Sequence, residues 1–147
     1  MAFNNKNLKK LDKKIFLSTA TMHGEELKYI QEAYDTNWMT TVGKNIDEVE
    51  RIVCEKLGCK YAVGLSAGTA ALHMAAMAAG LGKGDELITT PITFAASANC
   101  ALYVGATPVF ADINEETYNI DPASVEAHIT AKTKAVVAVD YTGQAVE

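Results

Sequence analysis

The chain has 147 residues, 49% of them hydrophobic and 21% charged, with a formal net charge of -5. These values describe one globular domain rather than a disordered chain. The acidic balance sets up no field that would draw nucleic acid or an anionic membrane. Cys54, Cys59 and Cys100 form no C-x-x-C pair and are odd in number, which reads as reduced thiols in a cytoplasmic protein. His23, His73 and His128 lack metal-ligand spacing, so no metal site is expected.

In chain order, residues 1–14 are rich in Lys and Asn and read as a mobile arm. No apolar stretch follows that would make a signal peptide. Residues 15–21 read as extended. Gly24 opens a helix through about Thr36, with Leu27, Ile30 and Tyr34 on one face. The loop from Asn37 to Gly43 carries the single Trp, Trp38. Asn45 is expected to cap a second helix, with Ile46, Val49, Val53 and Leu57 as its stripe. Gly58 ends that helix in the left-handed position.

Tyr61–Leu65 is a short apolar run suited to a buried strand. Ser66–Thr69 is a tight turn of small residues. Ala70–Ala79 is apolar on all sides and made of good helix formers, which predicts a buried helix. At about half the ~20 residues a span needs, it is no membrane helix. Glu86–Thr90 is a strand stopped by Pro91. A small-residue helix runs from Phe94 to Tyr103, and a strand from Pro108 to Asp112. Asp121 caps a helix that has Pro122 in its first turn and runs to about Ile129. The last strand is Lys134–Asp140, followed by the loop Tyr141–Gln144.

The order from residue 61 is β-α-β-α-β-α-β, which predicts an α/β layer with a mostly parallel sheet and helices on both faces. In such sheets ligands sit beyond the carboxyl ends of the strands. The loops there are Ser66–Thr69, Pro91–Phe94, Asp112–Asn114 and Tyr141–Gln144, and the four can line one crevice. The last strand needs cover on both faces, so residues 15–147 read as the N-terminal part of a larger domain.

The residues alone leave two readings of the turn before the apolar helix. The free N–H groups of Gly68, Thr69 and Ala70, at the positive end of the helix, can hold a phosphate. A plain βα turn also needs small residues for packing. The glycines match neither G-x-G-x-x-G nor a P-loop, which argues against a dinucleotide or ATP site. No G-x-S-x-G elbow surrounds Ser66. His73 reads as a core residue on the buried helix, His128 as solvated, and Phe94, on the residues alone, as ordinary core.

The stretch Ser66-Ala67-Gly68-Thr69-Ala70-Ala71-Leu72-His73 resembles a turn of the DegT/StrS-type sugar aminotransferases. Gly80–Asn99, Gly105–Ile113, Thr117–Pro122, Thr133–Val137 and Tyr141–Gln144 follow in that family's order. The segment Glu26–Trp38 is similar to the entry helix of members that aminate UDP-4-keto-6-deoxy sugars. The resemblance covers about Leu17 to Glu147.

It implies an aspartate-aminotransferase-type large domain, with pyridoxal phosphate as cofactor. The turn at Gly68, Thr69 and Ala70 would bind the cofactor phosphate and Phe94 would stack on its ring. Trp38, Thr40 and Gln144 are the candidate substrate-binding residues. It also implies a homodimer that moves an amino group, usually from glutamate, to a 4-keto nucleotide sugar in polysaccharide or glycan biosynthesis.

The family's Schiff-base lysine and the aspartate that pairs with the pyridinium nitrogen lie in later segments with no match here. No catalytic residue is therefore assigned, and these 147 residues alone are expected to be inactive. Lys132 and Lys134 precede the last strand and are expected at its far end, away from the crevice. A non-catalytic α/β module that binds a phosphorylated ligand or a partner chain is the alternative, and a Rossmann-like domain is the weakest reading.

Overall fold

The computed structural model describes residues 12–14, 16 and 18–147. Most of the expected N-terminal arm, Met1–Leu11, lies outside the described residues, as do Ile15 and Leu17. The chain divides into two compact units, Met1–Ala62 and Val63–Glu147.

The first unit holds α1 (Glu26–Asp35) and α2 (Lys44–Leu57). Glu26 anchors the start of α1 by accepting from the His23 N–H at 2.6 Å and the Gly24 N–H at 2.8 Å. These bonds favour the carboxylate and hold Glu26 below its ordinary range. Asn37, at φ 60, ends α1 in the left-handed conformation. The Trp38 N–H then reaches back to the Ala33 carbonyl at 2.8 Å.

The expected cap at Asn45 is corrected. The cap position of α2 is Gly43, at φ 140, and no side chain caps the helix. Gly43 is a backbone choice: most side chains disfavour that φ, and the Trp38 ring lies 3.5 Å from where a Cβ would stand. Asn45 therefore falls inside the first turn. Gly58 ends α2 at φ 64, as its sequence position predicts.

The second unit holds α3 (Gly68–Ala78), β1 (Glu86–Thr89), α4 (Ala96–Tyr103), β2 (Thr107–Phe110), α5 (Pro122–His128) and β3 (Thr133–Val136). The strands form a sheet in the order β2-β1-β3, parallel throughout among the described residues. The central strand β1 is the most deeply buried, as a parallel strand covered on both faces should be. Pro108 sits on β2 at the edge, where a missing N–H costs no ladder bond.

Successive β1 residues point to opposite faces, and they seed two cores. Leu87 packs with Ala76 of α3, Leu81, Cys100 and Ala101 of α4, and Ala106. Ile88 packs with Ala111 and Ile120, joined by Val125 of α5 and Val146. Ala96, Ser97, Cys100 and Ala101 form the buried stripe of α4, and their small size lets the helix lie close to the sheet. Asp121 caps α5 by accepting from the Ala123 N–H at 3.0 Å, with Pro122 in the first turn.

Two burial expectations are corrected. Residues 61–65 are coil and join no sheet among the described residues. Tyr61 and Val63 are 76% and 73% exposed. A buried strand needs a ladder neighbour and a covering layer, and among the described residues no strand pairs with this segment. In α3 only Ala76 is buried, while Met74 and Met77 are exposed, because α4 covers one side and nothing among the described residues covers the other.

Candidate functional site

The first hydrogen bond of α3 runs from the Ala71 N–H to the Ala67 carbonyl at 3.1 Å. The N–H groups of Gly68, Thr69 and Ala70 lie ahead of it, where a helix has no internal acceptor to offer. Ala67 is extended and makes no side-chain cap. Gly68 is exposed, and a Cβ placed on it would meet nothing within 4 Å. Three donors at the positive end of an eleven-residue helix, with open space around the glycine, suit a phosphate group.

A groove of about 650 Å³ opens beyond the carboxyl ends of β1 and β3. Pro91, Ile92, Thr93 and Phe94 form one side, and Val139, Asp140, Tyr141 and Thr142 the other. Two of the four expected crevice loops meet there. Residues 66–69 are outside its lining, and residues 112–114 are held elsewhere. The Asp112 N–H donates to the Ser124 hydroxyl at 2.8 Å, and Ile113 bridges to Ile120.

Phe94 does not begin α4. Its carbonyl accepts from the Ser97 N–H in the turn before the helix, and its ring is 77% exposed, which overturns the core reading. His73 is only half-buried, and its ring lies 5.2 Å from that of Tyr103. His128 is exposed, as expected, with Nδ1 2.7 Å from the Ser124 carbonyl.

The loop after β3 is tied down by a residue that sequence reasoning did not single out. Asn119 is 4% exposed. Its Nδ2 donates to the carbonyls of Gln144, at 3.1 Å, and Ala145, at 3.0 Å, and its Oδ1 accepts from the Tyr141 N–H at 3.0 Å. Asp140 assists by accepting from the Val146 N–H at 3.0 Å. Asn119 lies in a turn without apolar periodicity, so its partners more than twenty residues on leave no local trace. Gln144 enters this network only through its backbone.

Trp38 and Thr40 line a separate concavity of about 470 Å³ within the first unit, with Glu32, Met39 and Lys44. Lys44 donates to Glu32 at 2.7 Å. That bond holds the Glu32 carboxyl below its ordinary range and the Lys44 ammonium above it. Lys134 lies at the far end of the sheet, as expected. Its Nζ reaches the Gly80 carbonyl at 2.7 Å and Asp85 at 3.3 Å, next to the amino end of β1.

Free N–H groups at the head of a helix, and a groove at the carboxyl end of a parallel sheet, define an α/β layer of the kind in which ligands sit beyond the carboxyl ends of the strands. Residues 20–147 match the model of the DegT/DnrJ/EryC1/StrS aminotransferase family. The chain is 42% identical over 131 residues to GDP-perosamine synthase of Caulobacter vibrioides, covering 89% of this chain and 35% of that protein. It is 45% identical over 120 residues to the spore coat polysaccharide biosynthesis protein SpsC of Bacillus subtilis, covering 82% and 31%. It also matches the PLP form of Spr1654 from Streptococcus pneumoniae with a TM-score of 0.84 and 30% identity, covering 92% of this chain and 34% of that one. The chain belongs to the DegT/DnrJ/EryC1/StrS aminotransferase family, and it spans about a third of the length of these curated relatives.

Proposed function

We propose that these residues are the N-terminal, cofactor-binding part of a pyridoxal-phosphate-dependent aminotransferase. It moves an amino group, from glutamate, to a 4-keto nucleotide sugar in the cytoplasm, for polysaccharide or glycan biosynthesis. The observation that carries the reading is the trio of N–H donors at Gly68, Thr69 and Ala70, heading α3 in a chain of this family. The names of the two curated relatives, one a GDP-linked amino-sugar synthase and the other a polysaccharide biosynthesis protein, support the substrate class.

When bound, the cofactor supplies an electrophilic carbon and a ring that accepts electrons. The chain's own part is to hold it. The helix head receives the phosphate and orients it with fixed dipoles. The exposed Phe94 ring offers a flat apolar face to the pyridine. Trp38, Thr40 and Gln144 are proposed to contact the sugar substrate. None of the described residues lining the groove carries an ammonium, and Lys134 is engaged at the opposite end of the sheet, so the reacting amine is proposed to come from outside these residues.

Titration followed by amide chemical shifts tests the assignment without requiring turnover. Pyridoxal phosphate and inorganic phosphate should both move the Gly68, Thr69 and Ala70 amides, and only pyridoxal phosphate should move Phe94. Phe94→Leu should weaken pyridoxal phosphate by roughly 0.5–1.5 kcal/mol, up to about tenfold, and leave inorganic phosphate unchanged. Phe94→Trp should preserve both affinities. Thr69→Val keeps the N–H and loses the hydroxyl, so it should weaken both ligands without abolishing either. Amides at 68–70 that ignore both ligands end the proposal.

A homodimer is part of the same reading. Met74, Met77 and Leu102, on the paired helices α3 and α4, are each more than half exposed, an apolar surface that favours association. Sedimentation at micromolar concentration should give a dimer or larger species, and a clean monomer refutes this part.

A further inference from the structure

The two walls of the groove are held by different means. On the Phe94 side local bonds fix the turn into α4. The Ile92 N–H donates to the Thr90 hydroxyl at 3.2 Å, and the Thr93 and Ser97 hydroxyls lie 3.2 Å apart. On the other side Thr142 stands at φ 55 and ψ 19, in the left-handed region. A β-branched side chain crowds that region, and such a conformation persists where its surroundings over-determine it. Asn119 supplies that constraint from outside the loop. Its carboxamide brackets Thr142: the oxygen accepts from the Tyr141 N–H before it, and the nitrogen donates to the Gln144 and Ala145 carbonyls after it. A carboxamide, with two donors and an acceptor, matches that set. The backbone of Asn119 is itself pinned. Its carbonyl accepts from the Asn114 N–H at 2.9 Å, and its N–H donates to the Thr117 hydroxyl at 3.3 Å.

We propose that Asn119 is a positioning residue of the groove: by holding Thr142 left-handed it keeps the Tyr141–Thr142 wall set across from Phe94, ready for the pyridine ring of pyridoxal phosphate. The inference rests on the cofactor reading above and adds to it a second wall for the ring. Asn119 is buried and outside the groove lining, so it acts through the loop rather than on the ligand. Its effect is on population. A chain whose wall is competent for only a fraction of the time binds more weakly by that fraction. The helix head at Gly68, Thr69 and Ala70 keeps its own donors whatever the loop does.

Amide chemical shifts in the native chain give the first test. Pyridoxal phosphate should move the amides of Tyr141, Thr142 and Gly143 together with that of Phe94, and inorganic phosphate should move none of the four. Asn119→Ala should weaken pyridoxal phosphate about tenfold, as for a wall competent about a tenth of the time, and leave inorganic phosphate at residues 68–70 within about twofold of native. The retained phosphate response reports an intact fold. Adding Thr142→Asn should recover affinity to within about threefold of native, because asparagine tolerates the left-handed region without the clamp. A merely structural role for Asn119 gives no such rescue. Amides at 68–70 and 94 that ignore pyridoxal phosphate remove the cofactor reading, and this inference with it. Four results leave the cofactor reading standing and overturn this one: a response at Phe94 with silent amides at 141–143, a native affinity in Asn119→Ala, an equal loss of both ligands in that variant, or a double variant that binds no tighter than Asn119→Ala.

Discussion

Ile88→Ala is expected to destabilise the chain by about 2–5 kcal/mol. Ile88 is wholly buried, with 0% of its surface exposed, on the central strand. Its side chain faces Ala111 and Ile120, with Val109, Val125 and Val146 around them. Those neighbours come from β2, its following loop, α5 and the C-terminal segment. Truncation removes the one large apolar residue β1 gives to that face and leaves a cavity that four separate segments would have to close together.

Partial collapse is hard for a further reason. The Ile88 carbonyl accepts from the Val137 N–H at 2.8 Å, so the strand cannot shift inward without loosening its bond to the segment after β3. Ile88→Val should cost only about 0.5–1.5 kcal/mol. Val136→Ala, at a side chain 46% exposed, should stay within about 0.5 kcal/mol. Urea midpoints with unchanged slopes measure all three. An Ile88→Ala midpoint near that of Val136→Ala would show that this face is not a packed core.

Asn119→Ala should cost about 2–4 kcal/mol, from three lost hydrogen bonds at about 1 kcal/mol each and the burden of leaving their partners without them. Its amide holds Tyr141, Gln144 and Ala145, so the loss falls on the loop that forms one side of the groove. Hydrogen exchange at the amides of residues 141–146 should accelerate well before global unfolding does.

Asn119→Asp is a sharper probe. It keeps the acceptor for the Tyr141 N–H but turns carboxylate oxygen toward two carbonyls. That repulsion raises the folded-state pKa of the new acid above its unfolded value of about 3.9. The sign follows from which state binds the proton more tightly. Stability is fully present below the unfolded pKa, where the acid is protonated and can donate, and is lost as pH rises through the folded pKa. A variant equally stable at pH 3 and pH 7, relative to the native chain at each pH, would show that the amide bonds to Gln144 and Ala145 do not carry the loop.

Much of this protein was legible from short-range chemistry. The alternation of apolar runs with helix formers from residue 61 predicted a parallel sheet with helices on both faces, because period and composition are local properties, although its first strand, at 61–65, did not form. Asp121 and Pro122 marked the start of α5, and Gly58 the end of α2, because capping is settled within one turn. Lys134 was placed away from the groove by its position at the start of the last strand, since parallel strands all present the same end. The family is written in the ordered set of turns from Ser66 to Gln144 and matched along residues 20–147.

Burial and long-range pairing were decided only by the tertiary structure. Composition made Tyr61–Leu65 a buried strand and α3 a buried helix, yet burial depends on what is packed alongside, and Val63 and Met77 stay exposed. The same limit applied in reverse to Phe94, whose apolar character suggested core and whose ring faces outward. Asn119 shows the remaining gap. Its three bonds reach residues 22 to 26 positions away, and they form because the fold returns the segment after β3 to the turn before α5. A propensity or a cap is fixed by a few neighbouring atoms, whereas the groove wall exists only once two distant segments of the chain meet.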